Sequence, residues 1–144
     1  MATGTRIDPY RNYNFLVEID GITRAGFREC SGLDSSSDPI EYREGGDSLT
    51  MRKQPGMTKY SNISLKRGVT DDAELYQWWK SVMDGNVQRR NLSILLLDDT
   101  GVEKLRWNVV QAWPTKWTGP TFNATAHEVA IEGLDIVHEG VSKV

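Results

Sequence analysis

The sequence predicts a mainly β protein, an antiparallel β-sandwich or barrel with one packed α-helix. Two observations lead there. Six or seven short segments alternate apolar and polar side chains with the period of a half-buried strand, and a single stretch carries the 3.6-residue period of an amphipathic helix. No internal repeat and no low-complexity segment interrupts the pattern.

In "NFLVEID", Phe15, Val17 and Ile19 alternate with Leu16, Glu18 and Asp20. Asp20-Gly21 then offers a tight hairpin turn into "ITRAGF". "DSSSDP" reads as a polar turn, followed by a short strand in which Ile40 and Tyr42 alternate with Glu41 and Arg43. Residues 45–58, "GGDSLTMRKQPGMT", show no period and are punctuated by Gly and Pro, which predicts a long loop. Loops of that length in a compact domain are usually functional or disordered. "KYSNISLK" places Ile63 and Leu65 on one strand face and Ser64 and Lys66 on the other.

The helix follows. With Asp71 as N-cap, Glu74 falls at the third helical position, the spacing of a capping box. Leu75, Trp78, Trp79, Val82 and Met83 then fall on one face, and Gly85 stands where a left-handed C-terminal residue is wanted. The adjacent tryptophans therefore read as core, with Leu75, Trp78, Trp79 and Val82 as the packed stripe. A base-stacking platform would want flanking cations, and Lys80 alone beside Asp72 and Glu74 is poor support.

"NLSILLL" and "VEKLRWNVVQAW" flank "DDTG", a strong hairpin signal. In the second arm Leu105, Trp107 and Val109 oppose Lys104, Arg106 and Asn108. The last strand, "TAHEVAIEGLDIVHE", changes phase between Ile131 and Leu134, which predicts a bulge or bend at Gly133.

At 144 residues the chain predicts one domain, residues 1–144, with room for a real core. Seventeen Lys and Arg against 20 Asp and Glu leave a net charge of −3, which argues against a dedicated nucleic-acid or anionic-membrane binder. The longest aliphatic run, Ile94 to Leu97, is far too short to span a bilayer, so no membrane anchor is expected. Cys30 is alone, which fits folding in a reducing cytoplasm, and no base stands beside it to activate the thiol. "MATGTRIDPYRNYNF" has no apolar core of a secretory signal, so the sequons at Asn62, Asn91 and Asn123 read as chance matches.

Catalytic constellations are hard to build. His127 and His138 lie at an odd spacing with no cysteine or carboxylate pattern around them for a metal. Asp71-Asp72 and Asp98-Asp99 have local explanations, a helix start and a turn. Gly45-Gly46 is followed by Asp47, the wrong charge for cradling phosphate. The expectation is no enzyme, no metal and no cofactor.

Four segments in series resemble the tail-tube family of contractile phage tails and extracellular contractile injection systems: "FLVEIDGITRAGFRECSGL", "IEYREGGDSLTMRKQPGMTKYSNISLKRG", the helix with its tryptophans, and "LRWNVVQAWPTKWTGPTFNATAHEVAIEGLDI". Together they cover nearly the whole chain. The resemblance implies a structural subunit assembling into hexameric rings that stack into a hollow tube, inside a sheath, between baseplate or spike hub and tube-terminating proteins. It implies a lumen carrying effector protein or phage DNA. It implies assembly in the bacterial cytoplasm, followed by a released particle or virion tail. If each subunit gives four strands, as the resemblance implies, 24 strands at ~4.8 Å close a wall of backbone diameter roughly 37–52 Å, depending on tilt.

In the same family the 45–58 loop reaches neighbouring subunits, so Asp47, Leu49, Met51, Arg52, Lys53, Met57 and Lys59 are the expected self-assembly residues. Isolated domains gain little from flexible apolar side chains on a long loop. Two alternatives stay open: a tube initiator at the baseplate of the same machine, and a free ligand-binding β-domain using Trp107, Trp113 and Trp117.

Overall fold

The computed structural model describes residues 14–20, 22–43, 45–46, 50–125 and 127–144, with residues 22–25 described by their backbone alone. Ten strands and one helix follow one another in the order β1 (Phe15–Ile19), β2 (Ile22–Ala25), β3 (Glu29–Ser31), β4 (Ser35–Tyr42), β5 (Arg52–Tyr60), β6 (Ile63–Gly68), α1 (Glu74–Met83), β7 (Arg90–Leu97), β8 (Glu103–Thr118), β9 (Ile131–Val137) and β10 (Gly140–Lys143).

All the pairings are antiparallel, along the path β2-β1-β7-β8-β9-β6-β3, with β10 also on β8. The long strand β8 belongs to two half-sheets. Its first part pairs with β7 and β10, and its second part, from Trp113, pairs with β9. Between them Gln111 adopts φ 55°, and the β7 register slips by one residue. The bulge bends the strand, so the two half-sheets share one core between their inner faces. That core joins Val17 and Ile19, Leu92 and Ile94, and Val109 and Ala112 to Ile63 and Leu65 and to Leu134 and Ile136.

The period-two readings of "NFLVEID", "KYSNISLK" and "LRWNVV" hold where Val17 and Ile19, Ile63 and Leu65, and Trp107 and Val109 face this core; in "NLSILLL" Leu95 is buried on the opposite face from Leu92 and Ile94, so that strand is covered on both sides there. The hairpin expected at Asp20-Gly21 joins β1 to β2; Gly21 itself lies outside the described residues.

The helix closes the sandwich against β8 and β2. Leu75 and Trp78 are buried, Trp79 packs on the core half-buried, Val82 is half-buried, and Met83 is exposed. Trp78 also donates from Nε1 to the Gln88 carbonyl at 2.7 Å, so its one polar atom is satisfied at the rim. The end is a Schellman motif: Gly85 N–H donates to the Val82 carbonyl and Asn86 N–H to that of Ser81, with Gly85 at φ 81°.

The start differs from the expected capping box. Ala73 is the N-cap residue, and Glu74 opens the helix rather than occupying its third position. Asp72 takes the place of Asp71 as the local acceptor, receiving the Glu74 N–H on Oδ1 at 2.9 Å. It is held there by Arg67, which donates from Nη2 to the Asp72 carbonyl at 2.9 Å.

Four further expectations are corrected. "DSSSDP" is not a turn, and residues 45–58 are not simply a loop: β4 and β5 form a two-stranded arm that pairs with no other strand among the described residues. Neither strand has a face on the core, so β5 shows no period and β4 shows one only at its end, where the short strand read at Ile40 and Tyr42 is found. The final strand begins at Ile131, not before it, which leaves His127 in the connection from β8 to β9. Lastly, β9 pairs with β6 in unbroken register through Gly133, and the irregularity lies in β8 between Pro114 and Lys116. The apparent slip of phase has another cause: Glu132, not Ile131, points inward beside Leu134 and Ile136.

Candidate assembly surface

The arm carries the surface that the core does not explain. Every residue from Ser35 to Glu41 is exposed, and so is every residue of β5 except Gly56. Its ladder runs from Ser35 opposite Tyr60 to Tyr42 opposite Arg52, with a bulge where Gly56 and Met57 face the step from Ser37 to Pro39. Directly opposed residues share a face, so Ile40 lies with Gln54, and Glu41 lies with Lys53 on the other side. Asp38 accepts from Lys59 Nζ at 2.7 Å, an exposed pair that aligns the two strands and adds little stability.

Of the expected assembly residues, Met51, Arg52, Lys53, Met57 and Lys59 all lie on or beside β5 and are exposed. Asp47 and Leu49 lie outside the described residues. Arg52 and Lys53 are consecutive on a strand and point to opposite faces of the arm. Ile40, 54% exposed and read from sequence only as part of a short strand, joins Met57, 77% exposed, as apolar surface without cover.

The arm is anchored at its root. Gly32 takes φ 95°, and a Cβ there would stand 1.9 Å from the Asn62 carbonyl oxygen, so only glycine fits. Ser61 N–H donates to the Asp34 carbonyl at 3.1 Å. His138 brings Nε2 within 3.0 Å of the Ser61 carbonyl, and its ring lies 5.5 Å from that of Tyr60, the last residue of β5. His138 is thereby a tether for the arm.

A second surface is the outer face of β3, β6, β9 and the end of β8. Ser64 lies opposite Asp135, Lys66 opposite Gly133, and Glu29 opposite Lys66. Lys116 and Thr118 continue the face across β9, and Arg28 lies beside it. This face is mainly polar, with Ile131 and Val137 at its two ends, and carries charges of both signs. Neither outer edge, β3 nor the Trp113–Thr118 stretch of β8, has a further strand among the described residues.

Nothing in the described residues builds a reaction centre. No group of three or more His, Cys, Asp or Glu stands ready for a metal among them. Burial pushes the Cys30 thiol up to about 11, the opposite of an activated nucleophile. Trp107 and Trp117 pack on the core, and Trp117 takes the edge of Tyr76 at 5.3 Å, so these two rings are used structurally.

Residues 11–142 match the family described as T4-like virus tail tube protein gp19. Among solved structures, the chain is 34% identical to a chain of the PVC sheath-tube complex of an extracellular contractile injection system, covering 94% of this chain and 91% of that one with a TM-score of 0.85. It is 30% identical to a chain of the anti-feeding prophage tube-terminating cap, at 99% and 95% coverage and a TM-score of 0.88. A chain of the 6-fold symmetrised anti-feeding prophage baseplate, 22% identical at 96% and 97% coverage with a TM-score of 0.86, shares the fold. Among curated protein sequences, none matches.

Proposed function

This chain belongs to the T4-like virus tail tube protein family, and from that premise we propose that it builds the conduit of a contractile injection system as rings of six copies stacked into a hollow tube. The observation that carries the reading is the arm, a hairpin of 17 strand residues that leaves its own core and exposes Ile40, Met51 and Met57. Such a surface is costly on an isolated monomer and useful between copies.

The half-sheet β3-β6-β9-β8 supports the ring. It has four strands, a mainly polar face for a water-filled lumen, an apolar face for the core, and an edge at each side for pairing with a neighbour. Edge-to-edge closure removes the exposed edges that otherwise promote aggregation. Six-fold closure is supported by the shared fold in the 6-fold symmetrised baseplate. Mixed charge on Lys66, Lys116, Glu29 and Asp135 offers no single-sign field to hold a cargo, which suits passage of protein. The sheath is the partner outside the tube and a terminator or baseplate hub the partner at its ends, in a particle that leaves the producing bacterium. The chain acts by assembly, with no catalysis and no cofactor.

Electron microscopy of the purified chain tests this directly. Hollow tubes or six-fold rings are expected, and monodisperse monomers at high concentration would overturn it. Replacing residues 40–54 by a short Gly-Ser turn is expected to leave far-UV circular dichroism and melting unchanged while abolishing tube growth. Tubes of normal length from that variant would refute the role of the arm.

A further inference from the structure

Gly133 stands inside β9 without any of the usual reasons for a glycine. Its backbone is ordinary strand, outside the left-handed region, and it pairs in unbroken register with Lys66 of β6. A Cβ built there would meet Thr118 Cβ at 3.5 Å, the Leu65 carbonyl oxygen at 3.6 Å and Lys66 Cγ at 3.8 Å, all ordinary van der Waals contacts. Gly32, by contrast, has no room for one. A glycine inside a strand weakens it. Where neither a bulge nor strain calls for it, it marks a place that a ligand or another chain approaches closely.

What Gly133 leaves open is a depression of about 560 Å³ on the outer face of the β3-β6-β9-β8 half-sheet. The register builds its walls. One row across the sheet runs Glu29, Lys66, Gly133, Thr118, and the next runs Ser31, Ser64, Asp135, Lys116. Lys66 and Lys116 rise from the two strands that flank β9, two strand spacings or about 10 Å apart across the sheet. Arg28, just before β3, lines the same depression. Glu29 holds Lys66 only loosely, with Oε2 3.9 Å from Nζ. Neither Arg28 nor Lys116 has an ion pair among the described residues. Glu132 adds no charge to the balance, because its buried carboxylate is taken up by Arg67.

We infer that this depression binds a single carboxylate carried on a protein segment, with the segment passing over Gly133 and its charge lying among Arg28, Lys66 and Lys116. The chemistry selects that ligand. Three cations outnumber the acids Glu29 and Asp135, and Ser64 and Thr118 bring hydroxyls that donate to an anion. Ile131 gives the methylenes of an acidic side chain an apolar wall. The two acids repel the closely spaced phosphates of a nucleic acid, and no aromatic ring lines the depression for a base to stack on. The site is solvent-exposed and its charges are nearly balanced, so it holds its ligand weakly and reversibly. The inference deepens the tube reading by naming what the face assigned to the lumen would hold, while the site itself is built within one chain.

Saturation-transfer NMR on the full chain tests this, since it reads weak binding on free subunits and on assembled rings alike. The probe is a capped Gly-Ser peptide with one central glutamate, set against the same peptide with glutamine. Transfer to the glutamate side chain is expected, with at least several-fold less to glutamine. Gly133→Ala fills the depression and Lys116→Gln removes a cation; each is expected to weaken glutamate binding at least several-fold. Because a Cβ fits at Gly133, Gly133→Ala is also expected to melt no lower than the unaltered chain. Equal transfer to the two peptides, no transfer to either, or unchanged binding in both variants would overturn the site. So would a lowered melting temperature in Gly133→Ala, which would show that the fold itself requires the glycine. Displacement of the glutamate peptide by an equal concentration of a short oligothymidylate would replace the carboxylate by phosphate as the ligand and likewise overturn the inference. Failure of the chain to form rings or tubes would overturn the tube reading and leave this binding measurement standing.

Discussion

Arg67 and Glu132 face each other across β6 and β9, and Arg67 Nε donates to Glu132 Oε1 at 2.6 Å with the residues only 3% and 8% exposed. The same guanidinium reaches Asp72, by Nη2 to its carbonyl and by Nη1 to Oδ2 at 3.5 Å, and so ties the sheet to the turn that opens the helix. Two inward positions that would otherwise extend the apolar core hold a charge pair. Its members are matched donor to acceptor, as burial of charge requires.

Removing one partner of that pair should be far worse than removing both. Arg67→Ala takes from buried Glu132 its facing cation and is expected to cost about 3–5 kcal/mol in urea unfolding, while Glu132→Ala, which leaves Arg67 its longer contact to Asp72, is expected to cost somewhat less. The double replacement Arg67→Met, Glu132→Leu is expected to cost much less. A double variant as unstable as the singles would show that the pair contributes through more than mutual neutralisation.

The neighbouring tryptophans should separate. Trp78, 2% exposed, is expected to lose roughly 3–5 kcal/mol on truncation to Ala, measured by chemical denaturation. Half-buried Trp79 should lose clearly less. Equal losses would contradict their different burial.

Gly32→Ala tests the arm root. A side chain at φ 95°, with the Asn62 carbonyl in the way, forces the backbone to move, which carries a strain of roughly 1–3 kcal/mol. Because the shift falls where the arm joins the body, tube assembly should fail while the core strands stay protected in hydrogen exchange. Normal tubes with normal twist per ring, by electron cryomicroscopy, would count against the anchoring.

The thiol gives a pH prediction. Burial raises Cys30 from 9.0 to about 11, so the folded protein keeps the proton that the unfolded chain gives up. Its contribution to stability is full below pH 9 and is lost as pH rises through about 11. At pH 8 the folded protein should alkylate with iodoacetamide many-fold more slowly than in denaturant, and comparable rates would refute the burial of the sulfur.

Reading the sequence recovered the elements that bury one face in their own chain. Phe15 to Ile19, Ile63 to Leu65 and Leu105 to Val109 each repeat every second residue, because alternate side chains such as Val17, Ile19, Ile63, Leu65, Trp107 and Val109 lie on the shared core. Leu75 and Trp78 repeat at the helical spacing for the same reason. The family, too, was legible, since its segments run through the whole chain. Of the arm only the strand at Ile40 to Tyr42 was legible, because β4 and β5 rest on no core and the rest of their length leaves no period to detect. Glu132 misled for the opposite reason: a carboxylate at an inward position reads as outward, so the sequence suggested a bulge at Gly133 that the sheet does not have.

By itself, then, the sequence determined which residues turn inward and hence the fold class, for hydrophobic periodicity records burial against the chain's own core. Only the tertiary structure decided which inward charge meets which, and that β4 and β5 pair as an arm. It also decided that the arm and the connection from β8 to β9 leave from opposite ends of β6. Those relations depend on register and on pairing between distant segments, and a single strand's pattern of side chains carries no information about its partner.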